Sequence, residues 1–129
     1  MLDGVEMSYC QKIQLAKEGV LHFCRETITE RWAINDFDVW LLLESNDELT
    51  RVYKTSFRHH FHMMNDTLRH ILTVCAANTA FALRSFVRLS GARDLEEVLS
   101  FTETFLNEQF SDFDSLCADC GLDLNEDTM

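Results

Sequence analysis

The stretch LRHILTVCAANTAFALRSFVRLSGARDLEEVLSFTETFLNEQFSDF, residues 68–113, decides the fold. On its first arm Leu68, Leu72, Cys75, Thr79, Ala82, Phe86 and Leu89 recur at alternating steps of four and three, the spacing of a coiled-coil seam. On its second arm Leu95, Val98, Leu99, Thr102, Phe105, Leu106, Gln109 and Phe113 repeat that spacing on a wider stripe. Ser90-Gly91-Ala92-Arg93-Asp94 separates the arms. Gly91 suits the left-handed position that ends a helix. Asp94 suits the N-cap of the next one, with Glu97 at N3 and Glu96 beside it favoured by the helix dipole. The spacing predicts a helical hairpin turning at Gly91, Asp94 and Glu97.

Working outward, Ser45-Asn46-Asp47-Glu48 reads as a capping box. Neither Gly nor Pro follows before Gly91, so one long middle helix is expected from Ser45 to Leu89. Met63, His70, Val74, Ala77 and Phe81 give that helix a second apolar ridge, expected to be bundle core or else a binding face. Upstream, Val5, Tyr9, Ile13, Ala16, Val20, Phe23, Thr27 and Ile34 form one narrow stripe, the mark of a first helix over about 5–34 with one partner. Gly19 interrupts it at a cost of about 1 kcal/mol against Ala, tolerable where a neighbour needs the space. Asp36 is placed to cap a short apolar helix holding Phe37, Val39, Trp40, Leu41, Leu42 and Leu43. That patch reads either as a plug closing the bundle or as an adhesive knob. Arg84 and Arg88 are expected near Glu97 and Glu103, as surface pairs that guide the hairpin more than they stabilise it.

Composition bounds the rest. The chain has 129 residues, no Pro and four Gly, which favours long helices in one domain. The expected class is all-α, an elongated antiparallel bundle with a coiled-coil-like hairpin, over residues 1–124, followed by a short acidic tail at 125–129. The net charge of −11 falls wholly after Arg93, where every charged residue is acidic. Nucleic-acid binding needs basic clusters and is not expected. Five Cys without a paired framework fit a reducing compartment. Met1-Leu2-Asp3-Gly4-Val5-Glu6 lacks an apolar leader core, and the longest apolar run, Val39–Leu43, is far short of a transmembrane span, so a cytoplasmic location is expected.

Sites for chemistry are few. His62, Asp66 and His70 would share one side of a continuous helix within the His59–His62 neighbourhood, a set able to hold zinc or iron. A di-iron bundle, however, needs Glu-x-x-His, which does not occur here. Cys117 and Cys120 form a lone Cys-x-x-Cys at a helix end, where a thioredoxin motif would open a helix. No nucleophile triad or phosphate-cradling loop is seen. No enzyme activity, cofactor or metal is expected.

Ala82-Leu83-Arg84-Ser85-Phe86, Leu89 through Leu99, and Phe105-Leu106-Asn107-Glu108-Gln109-Phe110 together resemble the phasin family, small helical proteins that coat polyhydroxyalkanoate granules in bacteria. The family pattern is a helix, a Gly-Ala-Lys/Arg turn, an acidic restart and then aromatic and Gln positions. The match covers roughly the last third of the chain, which departs from the pattern in its sparse Ala and many Phe and Cys. The resemblance implies a non-catalytic, granule-associated cytoplasmic protein. It would adsorb through amphipathic helices, with granule proteins as further partners and homo-oligomers as its state. Phe81, Phe101, Phe105, Phe110 and Phe113 are the candidate surface-binding residues, Phe101 and Phe110 lying on the margins of the last stripe. The alternative is a soluble helical protein–protein interaction module, a regulator or adaptor; a metal-binding bundle ranks behind both.

Overall fold

The computed structural model describes residues 9–61, 64–91, 94–113 and 115. They form five helices: α1 (Tyr9–Ala33), α2 (Phe37–Leu43), α3 (Ser45–His60), α4 (Asp66–Ser90) and α5 (Leu95–Ser111). The fold is an all-α helical bundle, with no strand among the described residues. The four long helices alternate in direction. Gly19 of α1 lies against Ser56 of α3, while Arg31 near the end of α1 reaches Glu44 at the start of α3. Tyr53 of α3 meets Thr79 of α4, and Cys75 and Phe86 of α4 meet Gln109 and Phe101 of α5. Lys17 and Arg25 of α1 close the ring onto Asn107 and Glu103 of α5. α1 and α4 therefore stand on one diagonal, each bordered by α3 and α5.

The expected long middle helix is instead two helices. Phe61 leaves α3 in extended backbone, φ −113° and ψ 124°, and Asn65 then caps α4, its Oδ1 accepting from Leu68 N at 2.8 Å. An unbroken helix from 45 to 89 would span about 67 Å and leave most of its apolar stripe without a neighbour. Folding at 61–65 lets both halves bury their stripes against each other. Phe61 itself turns into the core, where its ring stacks on Phe57 at 5.3 Å.

The turn at Gly91 has the expected form. Gly91 sits at φ 67°, ψ 30° and its N–H donates to Val87 O. Asp94 caps α5, its Oδ1 accepting from Glu96 N at 3.0 Å. The capping box at Ser45 is not made. Ser45 is buried as the first residue of α3 and donates to Leu41 O at 2.6 Å, while Glu48 accepts from Trp40 Nε1 at 3.0 Å. Asp36 likewise makes no side-chain cap on α2; its Oδ2 accepts from Arg31 Nη1 at 2.8 Å.

Each long helix touches two others, which corrects the one-partner reading of the first helix. The buried line of α1 is Ile13, Ala16, Val20, Leu21, Cys24 and Ile28; Phe23 is half-buried and Ile34 exposed. Packed against both α3 and α5, the helix keeps its own period near 3.6, so the line passes through 24 and 28 and not 23 and 27. The broad stripe of α5 has the same cause, since α1 and α4 flank it. Arg84 donates to Leu41 O at 3.1 Å, and Glu103 pairs with Arg25 at 3.1 Å, so neither serves the expected hairpin pairing between α4 and α5.

Candidate functional site

The core holds a polar chain between α3, α4 and α5. Tyr53 Oη donates to Gln109 Oε1 and lies 2.7 Å from Thr79 Oγ1; Thr79 Oγ1 is 2.8 Å from Cys75 O, to which Gln109 Nε2 donates at 3.1 Å. Two hydroxyl protons thus serve three oxygen contacts, so Thr79 divides its proton between Tyr53 and Cys75 O. Burial pushes the Tyr53 hydroxyl well above its usual pKa, with the bond from Thr79 acting against it. Around it the rings of Phe57, Phe61, Phe110 and Phe113 pack at 5.0–6.0 Å, and Phe110 stacks on Tyr53 at 5.7 Å. Such a network pins helix register. Tyr53 and Thr79 are buried, while Gln109 at the end of the chain is half-buried.

Phe110 and Phe113 were expected at a binding surface and are core residues, Phe110 only 7% exposed. Phe101 is half-buried against Phe86 at 4.3 Å, and Phe105 is half-buried beside it. Of the five aromatic candidates only Phe81 stands out, 67% exposed. It belongs to the second ridge of α4, where His70, Val74 and Ala77 are exposed too, so this ridge is not bundle core. Met63 lies outside the described residues. Although α4 is long and apolar enough to cross a membrane by composition, its opposite face is packed among α3 and α5.

Beneath this ridge an open groove of about 540 Å³ runs between α4 and α5, with Phe81 and Phe105 on its apolar walls and Asn78, Ser85, Glu108 and Asp112 at its edges. A second apolar surface lies on α2. Phe37, Trp40 and Leu41 are buried and plug the bundle end, while Val39, Leu42 and Leu43 are 53%, 68% and 74% exposed. The patch is therefore plug on one side and exposed knob on the other. Positions 39, 42 and 43 share one helix face. At the same end stand exposed Ile34, just beyond α1, and Leu89, in the last turn of α4. That α1, α2 and α4 converge there follows from a cavity of about 250 Å³ lined by Trp32, Asn35, Phe37, Asp38 and Val87.

The helix breaks between His60 and Asp66, so the i, i+4, i+8 register from position 62 is lost, and Asp66 pairs with Arg69 at 3.2 Å. No group of three His, Cys, Asp or Glu able to hold a metal occurs among the described residues. His62, Cys117, Cys120 and the tail at 125–129 lie outside them. Cys24 and Cys75 are buried thiols whose pKa burial raises to about 12 and about 11, which holds them in the unreactive protonated form.

The α2 knob was signalled by its concentration of apolar residues, but periodicity alone did not divide buried from exposed positions. The groove was signalled by the second ridge of α4. No family model, no curated protein and no solved structure matches this chain.

Proposed function

We propose that this protein is a non-catalytic, phasin-type coat protein of the cytoplasm that adsorbs to polyhydroxyalkanoate granules, docking by the α2 end of the bundle. The observation carrying the reading is the exposure of Val39, Leu42 and Leu43 on one face of a helix whose other face is locked into the core. Large exposed apolar side chains grouped on one face mark an interaction surface more than a stable monomer surface. Burying what is exposed of these three side chains is worth about 4 kcal/mol at ~2 kcal/mol per fully buried side chain. That is weak for one molecule and ample for oligomers bearing several copies. The resemblance over the last third of the chain supplies the polymer; the acidic last helix would face the cytosol, where like charge opposes granule coalescence.

The test is co-sedimentation with protein-free polyhydroxybutyrate particles. Wild type should pellet, and Leu42→Ser with Leu43→Ser should stay in the supernatant at an unchanged melting temperature. A wild type that does not pellet overturns the granule reading. The rival, a soluble protein-interaction module, is favoured by the open groove between α4 and α5.

A further inference from the structure

We propose that the groove between α4 and α5 is a docking site for a basic amphipathic helix of a partner protein. The argument stands whether or not the α2 end adsorbs to polymer. Its first part is shape. Val74 and Phe81 lie on one exposed ridge of α4, and Phe105 of α5 forms the facing wall. From Cys75 to Ser85 the groove follows α4 for about 15 Å, nearly three turns of a helix at 1.5 Å per residue. A partner helix would lay apolar side chains at i, i+3 or i+4, and i+7 into such a channel. Phe81, a large ring left in water, is the natural anchor on this side.

The second part is charge. Glu108 and Asp112 edge the groove on α5, and the facing α4 edge offers uncharged Asn78 and Ser85. Arg84, on the same helix, is half-buried and turned to Leu41 O. Arg88 is exposed one turn beyond the groove, toward the Gly91 end. The acids at the Asp112 end therefore have no opposing base among the groove's described edge residues. On the other flank of α5 the corresponding positions are answered, Glu103 by Arg25 and Asn107 by Lys17. An apolar channel edged by unanswered acids selects Lys or Arg beside the apolar anchors and rejects an acidic helix by like-charge repulsion.

The experiment uses the full chain and, as probe, a fluorescein-labelled amphipathic peptide of about 18 residues made of Leu and Lys, with Leu at helical i, i+3, i+4 and i+7 spacing. Its counterpart carries Glu in place of Lys. Anisotropy titration should show saturable binding of the Lys peptide and none of the Glu peptide. Phe81→Ser should weaken binding about tenfold, and Glu108→Lys with Asp112→Lys about as much. A charge-matched control, Glu26→Lys with Glu30→Lys on the exposed face of α1, should change it less than threefold, about what diffuse net charge gives. Melting curves of the variants should coincide with wild type within the width of the transition, because all these side chains are exposed. Equal loss in the α1 control, or full binding by Phe81→Ser, would overturn the proposal. So would equal affinity for the two peptides.

Discussion

Gly19 provides the sharpest stability test. In mid-α1, a Gly in place of Ala costs about 0.8–1.0 kcal/mol of helix propensity. A Cβ built at Gly19 would lie 2.8 Å from Ser56 Oγ and 3.5 Å from Ser56 Cβ. The first distance is a clash and the second an ordinary contact. The clashing atom is the end of a side chain that swings aside by one rotation about χ1. Gly19→Ala alone should therefore return only part of the propensity gain, about 0–0.5 kcal/mol, after the hydroxyl is displaced. With Ser56→Ala added, the 3.5 Å contact is all that remains and the pair should gain nearly the full ~1 kcal/mol relative to Ser56→Ala alone. Urea unfolding of the four proteins closes a double-mutant cycle with a coupling of about 0.5–1 kcal/mol. If Gly19→Ala destabilises by more than about 1 kcal/mol and Ser56→Ala does not relieve it, the assignment of Ser56 as the group facing Gly19 is refuted.

Other outcomes follow from the same geometry. Gly91→Val should destabilise by about 1–2 kcal/mol, since φ 67° is strained for a β-branched residue; a melt unchanged from wild type would misplace the turn. Asp94→Ala should cost about 1 kcal/mol by leaving Glu96 N without its cap, measured by urea unfolding. Tyr53→Phe removes the hydroxyl that donates to Gln109 Oε1 and should cost about 1–3 kcal/mol at an unchanged m-value. Stability should also fall in alkali. The unfolded thiols release their protons near pH 9.0, whereas the folded Cys24 and Cys75 retain theirs to about 12 and about 11. Above pH 9 the unfolded state thus binds fewer protons than the folded state, and the unfolding free energy declines as pH rises. Serine at both positions should flatten that part of the profile.

The hairpin turn was legible because Gly91, by its backbone conformation, and Asp94, by its side-chain cap, act within a few residues of themselves. The break at Phe61–Asn65 carries no Gly or Pro and was missed. Its local signals are Asn65, an N-cap in the structure, and the basic Arg58, His59 and His60 in the last turn of α3, which suit a helix C-terminus. Both were outweighed by an apolar pattern that runs on through the break. Ser45 and Asp36 were misread for a related reason. Each has capping chemistry, but Leu41 O and Arg31, in the helical turns just upstream, claim those oxygens. The aromatic stripe of α5 told its breadth correctly and its cause wrongly. One neighbour leaves margins exposed; with α1 and α4 on its two flanks, α5 turns Phe110 inward, and Phe110 and Phe113 meet Tyr53 and Phe57 of α3 as core.

That double coverage changes what the acidic composition means. If α5 lay on the outside of a two-helix hairpin, its acids would all face solvent and act as a uniform charged coat. As one wall of a four-helix ring, α5 instead has two distinct flanks. Toward α1 its polar positions meet Arg25 and Lys17, so the charge there is partly answered within the chain. Toward α4, Glu108 and Asp112 border an apolar channel whose facing edge is Asn78 and Ser85. Exposed pairs of the first kind add little stability, about 0–1 kcal/mol each. Acids of the second kind add none, and they hold a desolvation cost in reserve for any partner without a positive charge. The last helix is therefore better described by the two neighbours it separates than by its net charge. The side facing α1 closes the bundle, and the side facing α4 stays open to a basic partner.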